Sequence, residues 1–398
     1  MDTISFARGI PASACIPVDE LADCAREVVE RDGATVLSYG PVGGYGPLRE
    51  WIGERHGVDP ARVLVTNGSL QGMVFLAEHF AGRRVIVESP TYDRPLKILA
   101  GRGVEVTAVA MDDDGLDPDS LERALQSGEK PAFVYTIPTF QNPSGRTLTP
   151  DRRVRLVELA HEHDLLVLED DPYGLVRYEG ESSPTLFELD GGRNVMYSSS
   201  FSKTIAPGLR VGYFVLPEPL EQELEALAVS TYITPVLLGQ ATVFEFLRRG
   251  RLEPNLERVS SLLGVRRDAM LEALERELPF ARWSHPQGGY FIWLELPEQT
   301  DAGVLLERAV EAGVTFVKGA DFGGVPNTAR LAFSFVTPDE IHEGVRRLAA
   351  LVAQPVRALA GRDLCEVPER PGNEAGLPRR NESATAVQAE RGAGRVGG

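Results

Sequence analysis

Short apolar runs closed by turn residues recur through the middle of the chain, and stretches with helical spacing separate them. Arg62-Val-Leu-Val-Thr66, Val85-Ile-Val-Glu88, Val104 to Met111, Ala132 to Ile137, Leu165 to Glu169, Val195 to Ser198 and Val211 to Leu216 read as strands. They are short, β-branched or aromatic, and bounded by Gly, Pro, Asn or Ser. Ser69 to Phe80, Asp93 to Gly101, Asp117 to Gln126 and Thr149 to His163 read as helices, the last opening on a Thr149 N-cap followed by Pro150. This alternation predicts an α/β fold with a mostly parallel sheet covered on both faces. In such sheets the ligand lies beyond the carboxyl ends of the strands.

After Leu220 the pattern lengthens into helices through about Leu278. The run Arg282 to Leu296, helix Asp301 to Ala312, strand Val314 to Val317, segment Leu331 to Val336 and helix Pro338 to Val352 then predict a smaller α/β unit. The expected divisions are an N-terminal segment (1–45) around one helix, Val18 to Asp32, a large domain (46–250), a small domain (251–353) and a disordered tail (354–398). The tail is rich in Pro, Gly, Arg and Glu and has little to bury. The N-terminal segment is expected to pack across the small domain or a second subunit.

Composition narrows the class without choosing within it. With 398 residues, 43% apolar, the chain can bury two real cores. A net charge of −17 argues against a nucleic-acid or anionic-membrane partner. Cys15, Cys24 and Cys365 form no Cys-x-x-Cys pair and suit free thiols in a reducing compartment. Met1-Asp-Thr-Ile-Ser-Phe-Ala-Arg8 lacks the basic start and apolar core of a signal peptide, and no apolar run approaches spanning length, so a cytoplasmic protein is expected. No metal site is expected.

Candidate chemistry gathers at the predicted strand ends. In Ser198-Ser-Ser-Phe-Ser-Lys203-Thr-Ile-Ala-Pro-Gly-Leu-Arg210-Val-Gly212 a lysine sits in a small-residue turn, with hydroxyls before it and an arginine after it. Such a lysine costs desolvation unless it is paired, or loses its proton and reacts as an amine nucleophile. The Ser200-x-x-Lys203 spacing also matches penicillin-binding proteins and β-lactamases, but the companion Ser-Asp-Asn and Lys-Thr-Gly elements are missing. At the other strand ends lie Thr66-Asn-Gly-Ser69-Leu-Gln71, Tyr92, Tyr135-Thr-Ile-Pro-Thr-Phe-Gln-Asn142-Pro-Ser-Gly145 and Leu168-Glu-Asp170-Asp171-Pro-Tyr173. A helix N-terminus such as that near Ser69 suits a phosphate, although Ser69 also suits a simple cap.

Together these segments resemble the pyridoxal-phosphate aminotransferases of fold type I, class I/II, and among them the 2-aminoadipate and MocR-related enzymes. The resemblance runs from about Ile4 to Val352. It implies that Lys203 forms the Schiff base with pyridoxal 5′-phosphate and moves a proton at the substrate Cα. It further implies a phosphate cup of Ser69, Leu70, Gln71, Ser200, Ser202 and Arg210, a Tyr92 ring stacked on the pyridine, and Asn142 and Tyr173 at the 3′-oxygen. Asp170 would pair with the ring nitrogen, motif spacing favouring it over Asp171. Arg330, in Ala329-Arg-Leu-Ala-Phe-Ser334, would clamp the substrate carboxylate, with Gly40 and Asn142 also lining the substrate. Tyr39, in Tyr39-Gly-Pro-Val-Gly-Gly-Tyr45-Gly, would reach the phosphate of a neighbouring subunit, which implies a homodimer. Leu70 departs from the polar residue common in that phosphate turn.

The implied activity is transamination between an L-amino acid and a 2-oxo acid, with 2-oxoglutarate and glutamate as one pair. Other reactions of the same cofactor (β-elimination, decarboxylation, oxidation) and a non-catalytic regulatory domain are the alternatives. The last wants a helix-turn-helix ahead of this domain, and the sequence begins almost directly at the domain. Arg8, Arg26 and Arg94 each offer a charge for a distal carboxylate or for solvent.

Overall fold

The computed structural model describes residues 3–218 and 220–353. Strand β1 (Ile4–Ser5) opens the chain, and an eight-stranded sheet follows: β2 (Val63–Thr66), β3 (Arg84–Ser89), β4 (Glu105–Asp112), β5 (Gly115–Leu116), β6 (Phe133–Thr136), β7 (Leu166–Asp170), β8 (Val195–Ser200) and β9 (Gly212–Val215). Their order is β2-β9-β8-β7-β6-β3-β4-β5. The central pairs β4/β3, β3/β6, β6/β7 and β7/β8 are parallel, whereas β9 runs antiparallel to both β8 and β2. Because β9 opposes both neighbours, β2 runs with β8. Six strand ends, those of β2, β3, β4, β6, β7 and β8, therefore open on one side of the sheet.

Apart from β4, most of whose residues are exposed or half-buried, the strands are buried on both faces, as their near-continuous apolar runs require. Leu64, Val85, Val87, Phe133, Tyr135, Leu168 and Met196 pack into one core, and Val63, Val65, Ile86, Val134, Val167, Val195 and Tyr197 into another. The assignment alternates residue by residue, following the strand pleat. Helices α1 (Val18–Val36) and α2 (Gly46–His56) precede the sheet. Helices α3 (Ser69–His79), α4 (Asp93–Ala100), α5 (Pro118–Gln126), α6 (Pro150–Glu162) and α7 (Leu186–Asp190) join its strands, and α8 (Leu220–Tyr232), α9 (Leu237–Arg248) and α10 (Leu252–Glu277) follow it.

A second sheet contains β10 (Arg282–Trp283) and β11 (Phe291–Glu295); β12 (Val314–Thr315) stands apart from it and pairs parallel with β1. Strands β13 (Val317–Lys318) and β14 (Thr328–Ala332) complete the order β10-β11-β14-β13. Helices α11 (Ala302–Glu311) and α12 (Pro338–Val352) contribute Leu305, Ala309, Ile341, Val345 and Leu348 to its core, which also takes in Phe6 from the N-terminal segment.

Several boundaries differ from the sequence reading. Helix α1 runs past Asp32, where the backbone leaves helical geometry (φ −122°, ψ 15°), and continues through Gly33 to bury Val36. The run Arg282 to Leu296 is two strands, broken where Gly289 takes a positive φ of 75°. Val314 to Val317 divides between two partners, β12 on β1 and β13 on β14. The last strand of the second sheet is Thr328–Ala332, upstream of the expected Leu331 to Val336. Apolar residues continue past Ala332 because Phe333 and Val336 are core-facing, not because the ladder continues. Thr149 sits at the N-cap of α6 with extended backbone, but its side chain makes no capping hydrogen bond. The expected tail and Cys365 lie outside the described residues; Cys15 and Cys24 are buried free thiols.

Candidate active site

A cavity of about 420 Å³ lies at the ends of β2, β3, β6, β7 and β8, a size suited to a small organic ligand. Lys203 enters it from the loop between β8 and β9. Its Nζ donates to the Gly9 carbonyl at 2.8 Å, and its own carbonyl accepts from the Tyr290 hydroxyl at 3.0 Å. Burial, reinforced by the positive charges of Arg330 and Arg210, lowers the Lys203 amine to about 8. A substantial fraction is therefore unprotonated near neutral pH.

The same loop builds an anion cup against α3. Gly68 stands at the N-cap with φ +85°, and no side chain caps the helix. The positive end of α3 thus opens into the cavity. Arg210, itself left-handed at φ +52°, donates to the carbonyls of Pro207 (3.1 Å) and Asn67 (3.3 Å) and has no carboxylate partner among the described residues. Ser200 Oγ donates to Ser202 Oγ at 2.8 Å and accepts from the Ser202 N–H at 3.1 Å. Gly68 is required by its positive φ of 85°, and Gly212 by close approach, since a β-carbon there would collide with the Ser69 nitrogen.

The opposite wall is set by buried polar side chains. Asp170 ends β7, and its Oδ2 accepts from the Tyr135 hydroxyl at 2.9 Å. Its Oδ1 is buried with no hydrogen-bond partner among the described residues. Burial, with help from the Asp171 and Glu88 charges, pushes Asp170 up to about 7 despite the Tyr135 hydrogen bond. Asp171 points away: its oxygens accept from the Gly174 nitrogen (2.8 Å) and the Tyr197 hydroxyl (2.9 Å). Asn142 Oδ1 accepts from Arg330 Nη1 at 3.0 Å, and Arg330 Nη2 donates to the Ala7 carbonyl at 2.9 Å. The guanidinium lies 4.4 Å from the Phe291 ring centroid, its Nε is buried and unpartnered, and no carboxylate pairs with it among the described residues.

Of the residues singled out from the sequence, Ser69, Leu70, Tyr92, Asn142, Asp170, Tyr173, Ser200, Ser202, Lys203, Arg210 and Arg330 all line this one cavity. Three do not. Gln71 turns back, its Oε1 accepting from the Asn67 nitrogen at 2.8 Å. Gly40 donates to Thr234 Oγ1 at 3.3 Å and abuts Leu237, and Tyr39 is 78% exposed. Sequence reasoning gave no role to Tyr135, although the motif contained it, nor to Gly9 and Ile10, whose backbone closes over the lysine. An aromatic one residue short of a strand end was the available sign for Tyr135; nothing local marks a backbone carbonyl.

A buried lysine, a helix N-terminus beside an arginine without a counter-ion and a buried unpaired carboxylate oxygen meet at the carboxyl ends of a mixed α/β sheet, and the fold is the fold type I arrangement of pyridoxal-phosphate aminotransferases. The family model for aminotransferase class I and II matches residues 3–348, and the chain belongs to that family. Aromatic-amino-acid aminotransferase 1 of Thermococcus litoralis is 37% identical over 372 residues, covering 89% of each chain. The 2-aminoadipate transaminase of Thermus thermophilus is 40% identical over 358 residues, covering 87% of this chain and 89% of its own. The crystal structure of α-aminoadipate aminotransferase from Thermus thermophilus, complexed with N-(5′-phosphopyridoxyl)-L-leucine, superposes with a TM-score of 0.84 at 37% identity, covering 88% of this chain and 92% of its own.

Proposed function

We propose that this protein is a pyridoxal-phosphate-dependent aminotransferase that exchanges the amino group of an L-amino acid with a 2-oxo acid, with glutamate and 2-oxoglutarate as one pair. One observation carries the reading. A lysine lowered to about 8, a buried carboxylate oxygen with no partner and a buried arginine with no counter-ion face a single cavity. Each is costly alone, and each is complementary to one part of the cofactor–substrate pair.

The buried groups fit the cofactor. Asp170 Oδ1 is the acceptor for a protonated ring nitrogen, which would in turn hold the carboxylate in its charged form. The α3 N-terminus at Ser69 and Leu70, with Ser200, Ser202 and Arg210, takes the phosphate. Tyr92, Asn142 and Tyr173 line the same cavity; Tyr92 would offer its ring face, and Asn142 and Tyr173 would hold the 3′-oxygen. When bound, the cofactor supplies an electron-accepting ring that stabilises negative charge left at the substrate Cα. Arg330 receives the α-carboxylate as a two-pronged donor while Asn142 keeps the guanidinium oriented. Lys203, more than half neutral above about pH 8, accepts the Cα proton and would hand it on to the carbon beyond the substrate nitrogen.

Gln71 supports the phosphate turn from behind. Tyr39 and Gly40 serve the site of a second copy in a homodimer, a reading supported by the exposure of Tyr39. A large and a small domain built on the two sheets, and a cytoplasmic location, complete the proposal. Among the described residues no helix is long and apolar enough to cross a membrane.

The test is the visible spectrum of the purified protein with added pyridoxal phosphate. A yellow band bleached by L-glutamate, restored by 2-oxoglutarate and absent from Lys203→Ala is expected. A wild-type protein that never develops the band overturns the reading.

A further inference from the structure

Four cationic side chains line the cavity, and three of them are anchored. Lys203, Arg210 and Arg330 each donate to backbone carbonyls. Arg94 is the exception. Its nearest acidic oxygen is Asp93 Oδ2 at 3.9 Å, and that oxygen already holds Lys97 at 2.5 Å. The residue is also placed against local preference. Arg94 is the second residue of α4, where the positive end of the helix dipole disfavours a cation. A residue that conflicts with its own element at the mouth of a ligand cavity marks a place where function outweighs local stability.

Its position relative to Arg330 is informative. Arg94, Tyr92 and Arg330 all line the one cavity. Ile10, Leu70 and Met73 supply apolar lining in the same cavity. A ligand held by Arg330 at one carboxylate would have methylene-compatible wall and a second, unanchored cation within the same enclosure.

We propose that Arg94 binds the distal carboxylate of a dicarboxylic amino or 2-oxo acid of about glutamate length whose α-carboxylate rests on Arg330. The inference builds on the aminotransferase reading above and names the residue that sets its preference. Ile10, Leu70 and Met73 pack the intervening methylenes, and a monocarboxylic acid of equal length loses only the ionic contact. Arg8 and Arg26 take no part: neither lines the cavity, and Arg8 instead lies 5.1 Å from the Phe335 ring centroid.

The experiment follows single half-reactions of the cofactor-loaded protein by absorbance, with L-glutamate and L-norleucine, in wild type, Arg94→Gln and Arg94→Lys. Because the Arg94 side chain is 61% exposed, a charge-assisted contact there sits at the low end of its range. The glutamate-to-norleucine ratio of rate constants is expected to fall about tenfold in Arg94→Gln and to recover in part in Arg94→Lys. Added salt should lower the wild-type ratio and leave that of Arg94→Gln unmoved. A ratio unchanged by Arg94→Gln overturns the inference while leaving the aminotransferase reading intact, and a wild type that reacts with norleucine and not with glutamate overturns the inference together with the glutamate pair, leaving transamination itself. A wild type that carries the yellow band and reacts with neither acid overturns both.

Discussion

Two carboxylates stand at strand ends on either side of β6, and that strand serves both. Thr136 donates to Glu88 Oε2 at 2.6 Å, while Tyr135, one residue earlier, donates to Asp170 Oδ2 at 2.9 Å. There the likeness stops. Glu88 is filled: its Oε1 also accepts from the Ile137 nitrogen (3.0 Å) and from Gln141 Nε2 (3.1 Å), and Gln141 Oε1 in turn accepts from the Ser144 nitrogen (2.7 Å). That network latches the turn carrying Asn142. Asp170 is left half-filled, as is Arg330 across the cavity. Complete satisfaction holds a backbone in place; a missing partner holds a position for something that arrives.

This contrast predicts that the two clusters respond oppositely to mutation. Arg330→Gln should lower kcat/KM for every amino donor about 100-fold, the loss of a paired charge-assisted contact, without lowering thermal stability. A loss confined to one class of donor would contradict its role at the α-carboxylate. Glu88→Ala should do the reverse first, cutting the unfolding free energy of the cofactor-free protein by about 3 kcal/mol, because three buried donors lose their acceptor. Urea denaturation curves that superpose on wild type would erase the distinction drawn here.

The smallest effect is also the most diagnostic. Asp170 is held up at about 7, so in the cofactor-free protein its ionisation opposes folding. That cost is absent below the ordinary value of 3.8, grows as pH rises, and is complete above about 7. Asp170→Asn should therefore stabilise the cofactor-free protein at pH 8 and leave it unchanged near pH 4. A gain independent of pH would mean that the carboxylate is not the strained group.

Much of this arrangement is legible in the chain. Apolar runs with turn boundaries place the strands of the large sheet, since strands buried on both faces leave little room for another pattern. Motif spacing separates Asp170 from its neighbour Asp171, and the structure gives the physical difference: Asp171 has both oxygens occupied by Gly174 and Tyr197. Short strands are less visible. Periodicity cannot resolve the two-residue pieces β12 and β13, because each is fixed by a partner distant in sequence. Gln71 shows another limit. A polar residue in a phosphate turn looks like a ligand contact, yet its side chain satisfies the backbone of the same turn. Arg94 reads as an ordinary surface charge until the fold puts it in the lining of the cavity that Arg330 also faces.

The close approach of Gly68, Arg210 and Gly212 has a consequence for how this scaffold can be diversified. At Gly68 the backbone holds a positive φ of 85°, and at Gly212 a main-chain nitrogen fills the room for a β-carbon, so libraries that vary these two glycines should return almost only the parental residue. Ile10, Leu70 and Arg94 face the same cavity without that constraint, with Ile10 44% exposed and Arg94 61% exposed in its side chain. Selection for a new amino donor therefore has a small set of permissive positions beside an intolerant cup, and acceptance of new side chains can change while the grip on the phosphate stays as it is.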